Sequence, residues 1–190
     1  PLLTLDRSVQ DNNYLYKRHE HDGSKILNWS LTPLRPTIIM GDSNMAKLPL
    51  IKDSRIQVDC YPGANISNAV NILRHQTPLT HAVTKIVLSF GLNNRQQGNP
   101  LLLRKDLNAM IIAASLKFPQ AEIFVPLINS SADLPGKIGG NIRSLNFLIK
   151  QTGRQMPRLN KELFNTEDDK IHWTLATGQH MWESWKTFLD

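Results

Sequence analysis

An α/β fold, three layers around a five-stranded and mainly parallel sheet, is what this chain of 190 residues predicts. Three observations carry that expectation. Short apolar runs of strand length alternate with longer segments whose apolar side chains recur every three or four positions. Most of the runs end on glycine, proline or a polar turn, where a strand would stop. Parallel strands joined this way need right-handed crossovers, which lay helices on both faces of the sheet.

Residues 1–34 stand apart. Asp11-Asn12-Asn13 and His19 through Ser24 are polar turn-formers without a sustained apolar period. They are expected to form an extension packing on the body, with Trp29 and Leu31 as anchors, and the body to run from 35 to 190. Pro33 and Pro36 lead into a first strand over 37–40, ending at Gly41. A second strand is expected over 56–60, then a helix with Ile66, Val70 and Leu73 on one stripe. Residues 85–90 read as the third strand. Asn99-Pro100 supplies an N-cap and a proline at the first helical position, followed by Leu103, Leu107, Met110, Ile111 and Ala114 at helical spacing. A fourth strand over 121–125 closes on Pro126. Gly139-Gly140 is expected to precede a helix carrying Ile142, Leu145, Leu148 and Ile149, and 158–164 to form the last strand. The final helix steps through Leu175, Gly178, Trp182, Trp185 and Leu189, a stripe that suits the core.

Composition narrows the function classes. A hydrophobic share of 41% and a charged share of 20% describe an ordinary folded chain. One cysteine, Cys60, excludes an internal disulfide and an all-cysteine zinc site. No apolar run reaches the ~18–20 residues of a membrane span, and no secretion signal opens the chain. The expected compartment is therefore the cytoplasm, with a membrane surface or a ribonucleoprotein particle as alternatives. The missing initiator Met suggests a piece of a longer protein. A net charge of +6 favours an anionic partner.

Chemistry concentrates at the strand ends. The first strand runs into Gly41-Asp42-Ser43-Asn44, the second into Tyr61-Pro62-Gly63, and the third into Gly91-Leu92-Asn93-Asn94. In a parallel sheet these turns share one edge, where such folds bind ligands. Asp169 and His172 stand three residues apart before the last helix. An ester hydrolase needs a hydroxyl nucleophile, an imidazole base, a carboxylate fixing the imidazole, and donors for the oxyanion. Ser43, His172 and Asp169 fit the first three needs. The Ser43 and Gly63 amides and the Asn93 side chain fit the fourth. Singly, each has a plain reading as a turn-former, a cap or a surface residue; the set in one order is what shifts the balance.

That set resembles the SGNH (GDSL-type) hydrolase superfamily, whose blocks centre on Gly-Asp-Ser, a glycine after strand two, Gly-x-Asn-Asp and Asp-x-x-His. They stand here as Gly41-Asp42-Ser43, Pro62-Gly63-Ala64, Gly91-Leu92-Asn93-Asn94 and Asp169 to His172, covering roughly residues 35–190. The resemblance implies a flavodoxin-like sandwich, Ser43 as nucleophile, Asp169 and His172 as its partners, and Gly63 and Asn93 as oxyanion donors. It also implies hydrolysis of short acyl, chiefly acetyl, esters without a metal or other cofactor. Asn94 departs from the family, which has Asp there. A narrower resemblance lies in Asp22-Gly23-Ser24-Lys25, Trp29 to Pro33 and Phe164 to Thr174. These stretches look like the esterase domain of the first open-reading-frame protein of fish LINE-type (non-LTR) retrotransposons, an RNA-packaging protein. In that family RNA is bound through other domains.

Two other classes stay open: a binding module of the same fold holding anionic lipid or RNA with weak hydrolysis, and a carbohydrate O-deacetylase. Between residues 137 and 161 lie six basic residues and no acidic one. Arg143, Lys150 and Arg154 are spaced to share a helix face, a candidate contact for an anionic phospholipid surface, although a solvated face is the plainer reading. Gly136 to Gly140 lacks the Gly-Lys-Ser/Thr ending of a phosphate loop, and His19 and His21 lack a third metal ligand at useful spacing.

Overall fold

The computed structural model describes residues 14–21, 23 and 28–190. The expected turn at Asp11-Asn12-Asn13, and Asp22, Ser24 and Lys25 of the narrower resemblance, lie outside the described residues.

Six strands build the sheet: β1 (Leu15–Arg18), β2 (Thr37–Gly41), β3 (Ile56–Cys60), β4 (Lys85–Ser89), β5 (Glu122–Pro126) and β6 (Gln155–Met156). Their order is β1-β3-β2-β4-β5-β6, and every pairing is parallel. The helices with full ranges among the described residues are α1 (Ile66–His75), α2 (Pro100–Lys117), α3 (Gly136–Gln151) and α4 (Leu175–Leu189). This is the expected α/β architecture, with one strand more than expected.

The additional strand comes from the polar N-terminal stretch. β1 has four residues, none fully buried, so no apolar alternation announces it. Its place is set by its partner: Leu15 to Arg18 run in register with Gln57 to Cys60. Just beyond it the His19 amide donates to the Cys60 carbonyl at 2.8 Å, and the buried His19 ring meets the buried Asp59 carboxylate at 2.8 Å. Trp29 and Leu31 are fully buried in the core.

Three further local expectations are corrected. The last strand is the two-residue β6, while 158–164 holds only a 3-10 turn over Lys161–Leu163, because strand pairing with β5 is complete by Met156. α3 begins at Gly136, so Gly139 and Gly140 lie inside it, and Pro135 in extended backbone serves as its N-cap. The same helix ends at Gln151. Gly153, at φ 70°, turns the chain away, which removes Arg154 from the helix face shared by Arg143 and Lys150.

Two apolar layers sandwich the sheet. On one side, α1, α2 and α3 bring Leu73, Met110 and Leu148 against Ile38, Ile86 and Val125. On the other, Met181, Trp185 and Leu189 of α4 pack on Ile39, Val58 and Val87. Because β2 lies between β3 and β4, the turns leaving all three strands converge at the carboxyl edge of the sheet.

Candidate active site

β2 delivers its chain straight into a 3-10 turn, Ser43–Lys47, whose N-cap is Asp42. The Asp42 carboxylate accepts from the Asn44 amide at 2.9 Å, which fixes the half-buried Ser43 between them. Gly41 is needed for this entry: a Cβ there would stand 2.6 Å from the Ser89 carbonyl oxygen of β4.

The opposite wall is the segment between the Lys161–Leu163 turn and α4. A bridge between Thr166 and Trp173 closes it, and the Glu167 amide bonds the His172 carbonyl at 2.7 Å. Asp169 organises the tip. Its Oδ1 accepts the Ile171 and His172 amides, each at 2.9 Å, and its Oδ2 takes the hydrogen of His172 Nδ1. These bonds, the His172 side chain first, hold the Asp169 carboxyl far below the usual carboxylate range. The free edge of the ring, Nε2, lies 3.0 Å from Ser43 Oγ. Ser43, His172 and Asp169 therefore form one hydrogen-bonded line across 129 residues of sequence.

Asn44, buried, is what joins the two walls, and sequence reasoning missed it. Its Oδ1 accepts the Trp173 amide at 2.9 Å, and its Nδ2 reaches the Ile171 carbonyl at 3.5 Å, so it grips the chain on both sides of His172. The only signal in the sequence was its place after Ser43.

The third wall comes from β3 and β4. Gly63 turns the chain at φ 74°, a conformation that favours glycine, and lines the cleft with Pro62. Asn93 Nδ2 donates to the Ala64 carbonyl at 2.9 Å and its Oδ1 accepts from Arg95 Nη1 at 3.3 Å, so the amide is clamped from both ends. Asn94 faces elsewhere: its Oδ1 accepts the Ile66 amide at 3.0 Å, holding the first turn of α1. That is a bond an aspartate oxygen would make equally well.

Ser43, Gly63, Asn93, Asp169 and His172 all line one cleft of about 380 Å³. Arg18 and Arg95 line it too. Asp42 sits buried at its base, and desolvation raises its carboxyl from 3.8 to about 6 against the opposing pull of the Asn44 amide and of His172 and Arg95. Arg143, Lys150 and Arg154 are not part of this cleft. Among the described residues, Glu167, Asp169 and His172 bring their ligand atoms within 4.8 Å of one another. Glu167 is engaged by Lys47, and the other two by each other. No helix among the described residues is long and apolar enough to cross a membrane.

No family model and no curated protein matches the chain. Solved structures do match. The chain is similar to a protein from Streptococcus pneumonia described as a putative platelet activating factor, at 19% identity and a TM-score of 0.64, with 82% of this chain and 84% of the other covered. It is similar to a member of the lipolytic protein G-D-S-L family from Veillonella parvula at 14% identity and a TM-score of 0.63, covering 80% and 96%. A carbohydrate acetylesterase from Sinorhizobium meliloti aligns at 11% identity and a TM-score of 0.56, covering 82% and 100%. At these identities the likeness is one of fold: the chain has the parallel α/β sandwich of lipolytic G-D-S-L proteins.

Proposed function

We propose that this protein is a serine esterase that hydrolyses carboxylic esters of short acyl groups, acetyl foremost. The observation that carries the reading is the Ser43–His172–Asp169 line opening into the cleft that Gly63 and Asn93 also wall. Structural neighbours described as an esterase, a lipolytic G-D-S-L protein and an acetylesterase support the same class of substrate.

In the proposed reaction His172 Nε2 accepts the proton of Ser43 Oγ as that oxygen attacks the ester carbonyl. Asp169 holds the ring by Nδ1 and stabilises the imidazolium. Charge developing on the carbonyl oxygen is met by the Ser43 and Gly63 amides and by an Asn93 Nδ2 hydrogen, one hydrogen of that group being held by Ala64. His172 returns its proton to the departing alkoxide, and the alcohol leaves. It then deprotonates a water that attacks the acyl-serine, releasing the acid and restoring Ser43. Labelling by a fluorophosphonate probe tests this: wild type should react and Ser43→Ala should not. Equal labelling of a folded Ser43→Ala protein would remove the reading.

A role on an anionic phospholipid surface is a second part of the proposal, supported by α3. Arg143 and Lys150 are exposed there, and Phe147 lies between them by four and three residues with 60% of its surface exposed. An apolar ring flanked by cations suits a headgroup layer. The reading as the esterase domain of a retrotransposon-encoded RNA-packaging protein rests on the sequence resemblance alone.

A further inference from the structure

The cationic groups of the cleft narrow its substrate. Arg18 closes β1, in register with Cys60 of β3, and so stands at the carboxyl edge of the sheet beside the turn that carries Gly63. It is exposed, and among the described residues it makes no hydrogen bond or ion pair with an acidic side chain. Arg95 leaves the Leu92–Asn94 turn after β4 and is half-buried. Its Nη1 is held by the Leu92 carbonyl at 3.2 Å and by Asn93 Oδ1 at 3.3 Å. Both line the cleft that holds Ser43 and His172.

The acidic groups of the same cleft are already committed. Asp169 is spent on His172 and two backbone amides, and Asp42 lies at the base, bonded to the Asn44 amide. Arg95 is opposed by Asp42, while among the described residues no acidic side chain is ion-paired with Arg18. A neutral acyl ester offers a guanidinium at a cleft mouth only an uncharged carbonyl acceptor. A carboxylate or phosphate gives it a charge-assisted partner.

From this placement, and resting on the esterase reading above, we infer that the substrate is an anionic ester, its negative group held by Arg18 at the mouth of the cleft with Arg95 adding to the field. The chemistry is unchanged: the ester bond is cleaved by water, and the anionic group takes no part except in binding.

The experiment compares matched esters in wild type, Arg18→Gln and Arg18→Lys. One pair places the charge on the acyl side, 4-nitrophenyl hemisuccinate against 4-nitrophenyl valerate. The other places it on the leaving group, 4-acetoxybenzoate against 4-acetoxybenzamide. Background hydrolysis is subtracted with Ser43→Ala. Taking the ratio of kcat/KM within each pair, and then between proteins, cancels the intrinsic reactivity of the esters. In at least one pair Arg18→Gln should lower the anionic-to-neutral ratio about fivefold. Arg18→Lys should keep most of the preference, and the difference should shrink as salt is raised. The pair that responds shows which side of the ester bears the charge. Ratios unchanged by Arg18→Gln in both pairs would overturn the inference while leaving the esterase standing. If wild type shows no Ser43-dependent turnover of any of the four esters, the esterase reading fails and this inference with it.

Discussion

Asn93 and Asn94 are neighbours with the same side chain and opposite duties. Asn93 is clamped by Ala64 and Arg95 within the cleft, whereas Asn94 caps the start of α1. Asn93→Ala should lower kcat by about 10²–10³ with KM little changed, because a donor that acts on the developing oxyanion matters most in the transition state. Asn94→Ala should leave kcat near wild type and cost about 1 kcal/mol of stability as the helix end loses its acceptor. Steady-state kinetics and denaturant midpoints separate the two. Asp42 sets a different balance. With its native pKa near 6 and its ordinary value 3.8, the folded protein binds a proton that the unfolded chain releases between those limits. Stability should therefore fall as pH rises through that window and level off above it. Asp42→Asn should remove the penalty, gaining about 3 kcal/mol at pH 8 and little at pH 4, as read from urea unfolding at both pH values.

At the scale of elements, the segment from Asn165 to Thr174 has little apolar mass and is held by polar ties. Thr177 of α4 bonds both the amide and the carbonyl of Asn165 at 2.7 Å, and Asn44 grips Ile171 and Trp173. Removing the Asn44 ties should let His172 sample positions out of reach of Ser43. Asn44→Ala is expected to lower kcat about tenfold or more with KM nearly constant, and Asn44→Asp, which keeps the acceptor for Trp173, to recover part of it. A change confined to thermal stability would make Asn44 a purely structural residue. β1 depends on its own polar tie. His19 and Gln57 Nε2 share the Asp59 carboxylate, each at 2.8 Å, and the His19 ring stacks on Tyr61 with centroids 4.0 Å apart. His19→Ala would leave a buried carboxylate half-satisfied and should cost about 3 kcal/mol, measured by chemical denaturation.

Across the whole molecule, the basic patch on α3 and the proposed chemistry occupy different places. The proposed reaction sits at the carboxyl edge of the sheet, while Arg143, Phe147 and Lys150 lie on α3. Co-sedimentation with anionic and neutral vesicles checks the surface reading. Wild type should bind anionic vesicles at low salt, and Arg143→Glu with Lys150→Glu should abolish it, since each basic group near such a surface contributes ~1 kcal/mol. Arg154→Glu should weaken it less, because that residue lies beyond the helix and is half-buried. Ester turnover in solution should be the same in all of these variants.

The long apolar runs determined most of the architecture by themselves. β2 through β5 and the four helices bury enough side chains that burial alone writes their period into the sequence. The turn motifs at three strand ends, with Asp169 and His172, were likewise legible, and the structure brings them to one cleft. Only the tertiary structure decided the rest. β1 exists through pairing with β3 and through His19 meeting Asp59, contacts 40 residues apart that leave no local period. Asn44 holds His172 from 128 positions away, and Arg18 reaches the cleft only because β1 docks at the sheet edge. Arg154 left its expected face because the helix ended at Gln151, just before a left-handed glycine. Local propensity and burial are readable along a chain; partners distant in sequence are chosen by how the layers pack, and that choice appears only in three dimensions.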